Sequence, residues 1–326
     1  MAKFAVFILA CFLLPAAALA QDGFAAWRQG FLQQAARDGI SEETLQRMIP
    51  YLVYDPKVIE LDQKQPEKIE TLKDYLAQIV TEERIERGRQ ELQDHADLLN
   101  QIEKKYDVPA EVIVALWAIE SNFGERQGNF NTFSALATLA YDGRRKEFFE
   151  GELLAAVHLA ENMNIPLDTF MGSWAGAMGQ CQFMPSSLLK YGQDADGDGK
   201  IDIWNSPADV FASMANYLSQ NGWDLDSGIA QAVTLPQEFN PENITEKLEK
   251  PVSEWHAMGV VRPSGAELYL SGAPAMVLQP DGPGSQAYLV YGNYKVLMRW
   301  NRSAYFALAV SQLADKINPK LKAPRS

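Results

Sequence analysis

One acidic residue stands out because it falls within an otherwise apolar helical segment. The stretch VPAEVIVALWAIESNFG, residues 108–124, repeats large apolar side chains at helical spacing until Gly124 ends the pattern. Glu120 lies three and four positions after Trp117 and Leu116, so it leaves the helix on their apolar face. The sequence therefore predicts a buried helix that delivers one carboxylate.

The surroundings of Glu120 predict a carboxylic acid that keeps its proton near neutral pH. Apolar neighbours solvate a carboxylate poorly, and the negative end of the helix dipole disfavours a further negative charge. Both effects raise the pKa of Glu120, as a general acid that protonates a sugar leaving group requires. The alternative is a partly exposed Glu that bonds the backbone of Ser121 or Asn122 at the helix end.

A second group of acidic residues has the spacing of a calcium-binding loop. Residues 194–202, DADGDGKID, match the first nine positions of an EF-hand loop. The expected ligands are four carboxylates and one backbone carbonyl: Asp194, Asp196, Asp198, Asp202 and the carbonyl of Lys200. Position twelve is Asn205 rather than Glu, so Asp209 is the carboxylate available to close the loop. We expect one structural Ca²⁺ ion; the alternative is an exposed turn that binds no metal.

The segment 172–187 combines small residues with neutral hydrogen-bonding groups. Its glycines and alanines allow another backbone or a ligand to approach closely. Ser173, Gln180 and Gln182 accompany the aromatic residues Trp174 and Phe183, and this mixture of hydroxyl, amide and aromatic groups suits a sugar. The alternative is tight helix packing in which the polar residues are incidental.

The elements that must position these residues are mostly helical. Apolar periodicity and capping residues predict helices at 24–36, 41–48, 70–80, 81–106, 132–141, 150–163, 251–258 and 303–317. An extended segment is expected at 54–63. Short strand patterns at 231–235, 275–278 and 287–291, with a Pro-Gly-rich turn at 280–284, predict a small β-rich subdomain.

Composition and the N-terminus restrict partners and location. The 326 residues are 47% hydrophobic and carry a net charge of −13, which argues against binding to nucleic acid or anionic lipid. Lys3, the apolar run 4–14 and the small-x-small pattern at 18–20 predict a signal peptide cleaved after residue 20. A lipoprotein acylation box at 8–11 fits less well, and we expect a soluble mature protein. Cleavage leaves Cys181 as a single structural thiol without a disulfide.

Taken together, these residues resemble a lytic murein transglycosylase of the B type over nearly the whole mature chain. The motifs that carry the resemblance are LDQKQPE at 61–67, Asp74-Tyr75, ESNFG at 120–124, the 172–187 segment, the 194–202 loop, Asn216-Tyr217 and WNRS at 300–303. The family implies cleavage of the β-1,4 bond between N-acetylmuramic acid and N-acetylglucosamine in peptidoglycan without water. With the signal peptide, we expect a periplasmic and monomeric protein.

The resemblance also implies a fold and its domains. We expect a mainly α (α+β) protein with a lysozyme-like helical core. The expected boundaries are a signal peptide at 1–20, a helical domain at 21–106, the catalytic core with its EF-hand-like loop at 107–224, the β-rich subdomain at 225–299 and a C-terminal helix returning to the core at 300–326.

Individual roles are carried over by position. Glu120 matches the single catalytic acid and base, and the metal loop closed by Asp209 matches the family's calcium site. The residues expected to line the glycan groove are Tyr75, Ser173, Gln182, Tyr217, Trp300 and Asn301. Trp300 and Phe306 stand where some members have Tyr, which removes hydroxyl donors but keeps a stacking surface. The segment before Asp209 is one residue longer than in some members.

The mechanism implied by the resemblance uses one protein carboxylate. Glu120 protonates the glycosidic oxygen, the substrate's 2-acetamido group stabilises the positive charge, and Glu120 then deprotonates the C6 hydroxyl, which closes on C1. Two alternatives remain. A hydrolytic muramidase would use a second carboxylate, with Asp142, Glu147 or Glu150 as candidates. A non-catalytic, calcium-stabilised protein would bind peptidoglycan without cleaving it.

Overall fold

The computed structural model describes residues 16–64, 71–162, 165–266, 268 and 272–318. The apolar run 4–14 of the expected signal peptide and the end of the 61–67 motif lie outside the described residues. The described chain is mainly helical, as the sequence predicts. Its α-helices are α1 Ala16–Arg37, α2 Glu42–Met48, α3 Pro56–Gln63, α4 Leu72–Ile79, α5 Glu82–Asp94, α6 Ala96–Tyr106, α7 Ala110–Ser121, α8 Thr132–Asp142, α9 Lys146–Asn162, α10 Pro185–Tyr191, α11 Pro207–Gln220, α12 Val252–Ala257, α13 Gly292–Trp300 and α14 Ala304–Ile317.

The strands form two small antiparallel sheets. They are β1 Phe130–Asn131, β2 Met171–Gly172, β3 Ala230–Val233, β4 Lys250–Pro251, β5 Pro274–Leu278 and β6 Ala287–Val290. β1 pairs with β2, and the other four strands lie in the order β3-β6-β5-β4. The four-stranded sheet covers its own hydrophobic cluster around the fully buried Trp255, whose indole Nε1 donates to the Ala275 carbonyl at 2.9 Å. The β-rich unit predicted from the strand patterns is therefore present.

Helix α7 lies at the centre of the main hydrophobic core. Every residue from Ala110 to Ala118 is buried, so the helix has no solvent-facing side over that length. It packs against α5, α6, α11 and α14. The burial predicted from its continuous apolar composition is confirmed. A helix held on all sides is a rigid support for the side chains at its C-terminal end.

Several sequence predictions about individual elements were wrong. Residues expected to be extended at 54–63 form α3, because the Asp55 side chain accepts the Lys57 N–H at 2.9 Å and Pro56 occupies the first turn. The single helix predicted at 81–106 is divided into α5 and α6 at His95, where φ is −107° and ψ is 18°. Helix α13 was missed because its sequence follows directly on a strand.

Among the residues described, no helix combines the length and apolar character needed to cross a bilayer.

Candidate active site

The backbone after Glu120 reverses sharply and fixes the end of α7. Asn122, Phe123 and Gly124 have φ angles of 51°, 58° and 84°, so three consecutive residues occupy the left-handed region. The Ser121 hydroxyl oxygen accepts the Gly124 N–H at 3.0 Å and stabilises this turn. Left-handed geometry costs a non-glycine residue roughly 1–3 kcal/mol, and such strain concentrates at functional sites. The turn therefore supports a site at Glu120.

Glu120 is half-buried at the C-terminal end of α7, shortly after the fully buried stretch of that helix. Burial raises the pKa of Glu120 from 4.5 to about 7, and a hydrogen bond from Trp300 acts in the opposite direction. The Trp300 indole Nε1 donates to Glu120 Oε1 at 2.6 Å. A carboxyl group with these properties is half protonated near neutral pH and can both give and take a proton.

Trp300 is held in place by other aromatic residues. Its ring lies 5.2 Å from Phe183 and 4.8 Å from Tyr217, measured between ring centroids. The Tyr217 hydroxyl donates to the Arg299 carbonyl at 2.8 Å, which ties α11 to the last turn of α13. Tyr217 is buried beneath Trp300 rather than open to the groove. The indole donor is thus oriented by contacts on several sides.

The segment 172–187 folds into tight turns that bring its polar groups beside the Glu120 helix. A Cβ atom at Gly179 would lie 2.6 Å from the Ile203 carbonyl oxygen, so only glycine fits there. The Trp117 indole donates to Gln180 Oε1 at 2.7 Å, and Gln180 Nε2 donates to the Trp204 carbonyl at 2.8 Å. Gln180, one of the polar residues singled out in the sequence, therefore has a structural role in this network.

Two predicted groove residues of this segment keep groups available for a ligand. The Gln182 Nε2 group donates to the carbonyls of Gln127 and Gly179 at 3.1 and 2.8 Å, so its amide is fixed while its carbonyl oxygen makes no hydrogen bond among the described residues. The Ser173 hydroxyl oxygen accepts the Ala177 N–H at 3.0 Å. Its hydroxyl proton can still be donated. Both side chains are only partly buried.

The remaining predicted groove residues lie on α4 and after α13. Asn301 follows Trp300 directly and is exposed. Tyr75 on α4 lies 5.8 Å from Tyr305, measured between ring centroids. The loop between β5 and β6 contacts both α4 and Tyr305, because Asp281 of this loop accepts the Leu72 N–H at 3.0 Å and the Tyr305 hydroxyl. Phe306 is buried in the core and faces no groove.

The carboxylates suggested for a hydrolytic enzyme lie in other surroundings. Glu150 accepts the Trp27 indole N–H at 2.9 Å and lies 3.6 Å from the Lys146 ammonium group. Asp142 and Glu147 are exposed. The pKa of Glu120 is set by burial and by the Trp300 hydrogen bond, with no carboxylate among its causes. Among the described residues, the raised pKa of Glu120 is therefore explained without a contribution from another carboxylate.

The metal loop gathers some of its predicted ligands. Carboxylate oxygens of Asp194, Asp196 and Asp209 all lie within 4.8 Å of one another. Asp209 is buried and accepts the Ala195 and Asp202 N–H groups at 2.8 and 2.7 Å. Burial raises the pKa of Asp209, and the neighbouring aspartates raise it further. Oxygen-only donors that repel one another without a cation fit Ca²⁺.

The other predicted carboxylate ligands, Asp198 and Asp202, accept hydrogen bonds from backbone N–H groups of the same segment. The Asp198 carboxylate accepts the Lys200 N–H at 2.8 Å. Asp202 accepts the Trp204 and Asn205 N–H groups, each at 2.9 Å. Asp194 and Asp196 accept loop N–H groups in the same way, from Gly199 at 2.9 Å and from Asp198 at 3.2 Å, so these two ligands are distinguished by the nearness of their oxygens to Asp209.

Cys181 is fully buried, and its thiol contacts the Val210 carbonyl at 3.6 Å. Burial raises the pKa of this thiol, and the nearby Glu120 and Asp209 raise it further. Cys181 is the one cysteine among the described residues, and its buried, protonated thiol agrees with the structural role predicted from the sequence.

A half-buried acid of raised pKa, at the end of a central helix and beside polar and aromatic side chains, is the arrangement of a general acid in lysozyme-like enzymes that cleave glycans. The family model described as transglycosylase SLT domain matches residues 23–315. The chain belongs to this family, and two of the three relatives below are named lytic transglycosylases.

Three relatives illustrate the match. Membrane-bound lytic murein transglycosylase B of Escherichia coli is 34% identical over 253 residues, which cover 74% of this chain and 66% of that protein. This chain thus spans just under two thirds of that relative. SltB3 of Pseudomonas aeruginosa, in complex with NAG-anhNAM-pentapeptide, is 41% identical with a TM-score of 0.87, covering 90% of this chain and 79% of that one. Lytic transglycosylase SLT35 of Escherichia coli, in complex with calcium, is 29% identical with a TM-score of 0.75, covering 89% and 92%.

The burial of Glu120 has a measurable effect on stability. Because the folded protein holds the pKa near 7 rather than 4.5, ionising Glu120 destabilises the folded state as the pH rises through this interval. Glu120→Gln should therefore raise the free energy of unfolding by about 1–3 kcal/mol at pH 8 and change it little at pH 4. Thermal melting of the wild type and of Glu120→Gln at the two pH values checks this. Equal melting temperatures of the two proteins at pH 8 would contradict the burial of Glu120.

Proposed function

We propose that this protein is a lytic transglycosylase of the bacterial cell wall. It cleaves the β-1,4 bond between N-acetylmuramic acid and N-acetylglucosamine in peptidoglycan and leaves 1,6-anhydromuramoyl ends. The observation that carries the proposal is the single acid Glu120, whose pKa of about 7 arises from burial without a carboxylate partner. The names of the relatives support the substrate and the reaction.

In this reaction Glu120 acts twice. Its protonated carboxyl group gives a proton to the glycosidic oxygen as the C1–O bond breaks, and the substrate's acetamido group stabilises the charge at C1. The resulting Glu120 carboxylate then takes the proton of the C6 hydroxyl, whose oxygen closes on C1. The acid is regenerated, and no water is consumed. The Trp300 hydrogen bond stabilises the carboxylate between the two steps.

The groove residues have distinct proposed roles. Ser173 and the free carbonyl oxygen of Gln182 position acetamido and hydroxyl groups of the glycan. Asn301 and Tyr75 contact the glycan farther along the groove. Tyr217 acts through Trp300, since it packs against that ring and bonds the backbone beside it.

The test of the enzyme assignment is release of soluble fragments from purified peptidoglycan. An active protein releases muropeptides in proportion to time and enzyme concentration. A protein that only binds peptidoglycan would saturate it without soluble fragments, and Glu120→Ala would leave its affinity unchanged. That result would contradict the assignment.

We further propose that the 194–209 loop holds one structural Ca²⁺ ion. Asp194, Asp196 and Asp209 are the best placed ligands. The carboxylates of Asp198 and Asp202 and the backbone carbonyl of Lys200 would supply the remaining oxygen ligands. The ion would join the loop to the first turn of α11 through Asp209. The calcium complex of SLT35 supports the choice of metal.

Removing the closing ligand should abolish the response to calcium. Asp209→Ala is expected to lower calcium affinity at least tenfold, because the one buried carboxylate of the cluster is lost. Isothermal titration, and melting with calcium or chelator, measure the effect. Asp38→Ala is the control, since Asp38 is an exposed aspartate outside the loop whose carboxylate accepts the Gln34 amide N–H at 3.1 Å. Equal calcium affinity in the two variants would exclude Asp209 as a ligand.

The expected export and organisation remain part of the proposal. We propose a signal peptide cleaved after residue 20, a periplasmic location and a monomeric enzyme, in agreement with a peptidoglycan substrate. The helical domain at 21–106, the core at 107–224 and the β-rich unit at 225–299 are proposed as functional divisions; α13 at the end of the last division supplies Trp300 to the core.

A further inference from the structure

The first half of α5 contacts the turn that follows Glu120. The guanidinium group of Arg87 lies 4.6 Å from the centroid of the Phe123 ring, and its Nη1 donates to the Glu125 carboxylate at 2.6 Å. Arg84 is three positions before Arg87 and therefore shares this face of α5. Its guanidinium group also donates to the carbonyl of the last residue of α4. Arg84 thus lies where α4, α5 and the turn after the acid come together.

A second arginine, Arg126, lies in that turn. Its backbone N–H donates to the Ser121 carbonyl at 2.8 Å, which places it beside the residue that follows Glu120. Its side chain is exposed and, within the described chain, has no hydrogen bond or ion pair. The neighbouring acid Glu125 is paired with Arg87 instead. Arg126 therefore offers a guanidinium group that can bind a ligand.

The two guanidinium groups are close enough to repel each other. The pKa of Arg84 is lowered, first by burial and second by the positive charge of Arg126, and the opposite effect of Glu83 is smaller. The Arg84 Nε is buried and has no hydrogen-bond partner among the described residues. Two like charges held together cost free energy that a bound anion would offset. In a chain with a net charge of −13, the pair is a local site for an anion.

The position of the pair indicates which anion it meets. Tyr75, which is proposed to contact the glycan, is close enough to Arg84 to affect its pKa. The pair therefore lies between this part of the groove and the turn that carries Glu120. A muramoyl residue bound beside Glu120 carries a stem peptide on its lactyl group, and this peptide has free carboxylates. Guanidinium groups bind carboxylates through charged, geometrically matched hydrogen bonds.

We propose that Arg126, assisted by the charge of Arg84, binds a carboxylate of the stem peptide and so makes the enzyme select glycan that carries peptides. The exposed Arg126 donates to the carboxylate, and the half-buried Arg84 adds a fixed positive charge behind it. The inference rests on the proposed function and names the part of peptidoglycan that this side of the groove recognises. Arg126 is a specificity residue and takes no part in proton transfer.

The experiment compares substrates that differ only in their peptides. Soluble, uncross-linked glycan strands are used intact and after an amidase has removed the stem peptides, and wild-type kcat/KM should be higher on the intact strands. Arg126→Gln should lower the ratio of the two kcat/KM values about tenfold, through KM, and Arg126→Lys, which keeps the charge, should lower it less. Arg47→Gln is the matched control, since Arg47 is an exposed arginine of α2 that has no hydrogen bond or ion pair within the described chain. It should leave the ratio unchanged.

A third substrate isolates the charge from the rest of the peptide. Strands whose peptide carboxylates have been converted to amides should be cleaved by the wild type like the peptide-free strands. An unchanged ratio in Arg126→Gln, or an equal loss on all three substrates, would overturn the carboxylate site. Either result leaves the proposed function intact, because 1,6-anhydro ends are still formed.

The converse failure is recognised separately. If the wild type forms 1,6-anhydro ends from none of these substrates, the proposed function is wrong. The affinity of Glu120→Gln for intact and amidated strands then tests the carboxylate site without cleavage. Tighter binding of the intact strands, lost in the double variant with Arg126→Gln, supports the site, and equal affinities overturn it.

Discussion

Glu120→Gln is expected to lower the rate of peptidoglycan cleavage by at least 10³-fold while leaving the protein folded and able to bind glycan. The amide has nearly the size of the carboxyl group and can still accept the Trp300 hydrogen bond. It cannot donate a proton to the leaving oxygen or take one from the C6 hydroxyl. General acid–base catalysis contributes about 10²–10⁴-fold to a reaction, and here one residue serves both steps.

Glu125→Gln provides the matched control. Glu125 lies in the same turn but is exposed and pairs with Arg87 and Asn122, so this variant should cleave at the wild-type rate. The measurement is the rate of release of soluble muropeptides, with glycan affinity determined in parallel. Retention of more than a few per cent of activity in Glu120→Gln would count against Glu120 as the acid.

Trp300→Phe is expected to shift the pH dependence of cleavage toward alkaline pH. The indole N–H stabilises the ionised carboxyl group, so its loss raises the pKa of Glu120 above 7. Because protonated Glu120 starts the reaction, kcat/KM of the wild type should fall as the pH rises through about 7. A hydrogen bond to a charged group contributes about 1.5–3 kcal/mol, which corresponds to a shift of roughly one to two pH units.

The maximal rate of Trp300→Phe should also fall, since the Glu120 carboxylate loses the donor that orients it. Trp255→Phe is the control for loss of an indole donor, because Trp255 bonds Ala275 in the sheet. That variant should lose stability but keep the wild-type pH profile. The measurement is kcat/KM of both proteins from pH 5 to 9. If kcat/KM of Trp300→Phe falls at the same alkaline pH as that of the wild type, this hydrogen bond does not contribute to the pKa of Glu120.

Features determined within one element could be predicted from the sequence. The partial burial and the raised pKa of Glu120 follow from the apolar residues of a single helix, because residues three and four apart share a face. The metal loop is equally local, and the nearness of Asp209 to Asp194 and Asp196 agrees with the prediction that it closes the loop.

Contacts between distant segments could not be predicted. Trp300 is 180 residues from Glu120, and the sequence analysis assigned it a stacking role without its hydrogen bond. The sequence did contain one signal for this hydrogen bond. Where some family members have Tyr, this chain has Trp300, whose indole N–H can still donate. Likewise, Tyr217 was expected in the groove and lies buried beneath Trp300, because the packing of α11 on α13 is not encoded in either helix alone.

The most direct measurement of the central claim is the mass of the fragments released from purified sacculi by the wild-type protein. If Glu120 acts as acid and then as base on the C6 hydroxyl, every newly formed muramoyl end is a 1,6-anhydro end. Such fragments are lighter by one water than the corresponding hydrolysis products. Fragments with reducing muramoyl ends, heavier by one water, would contradict the account.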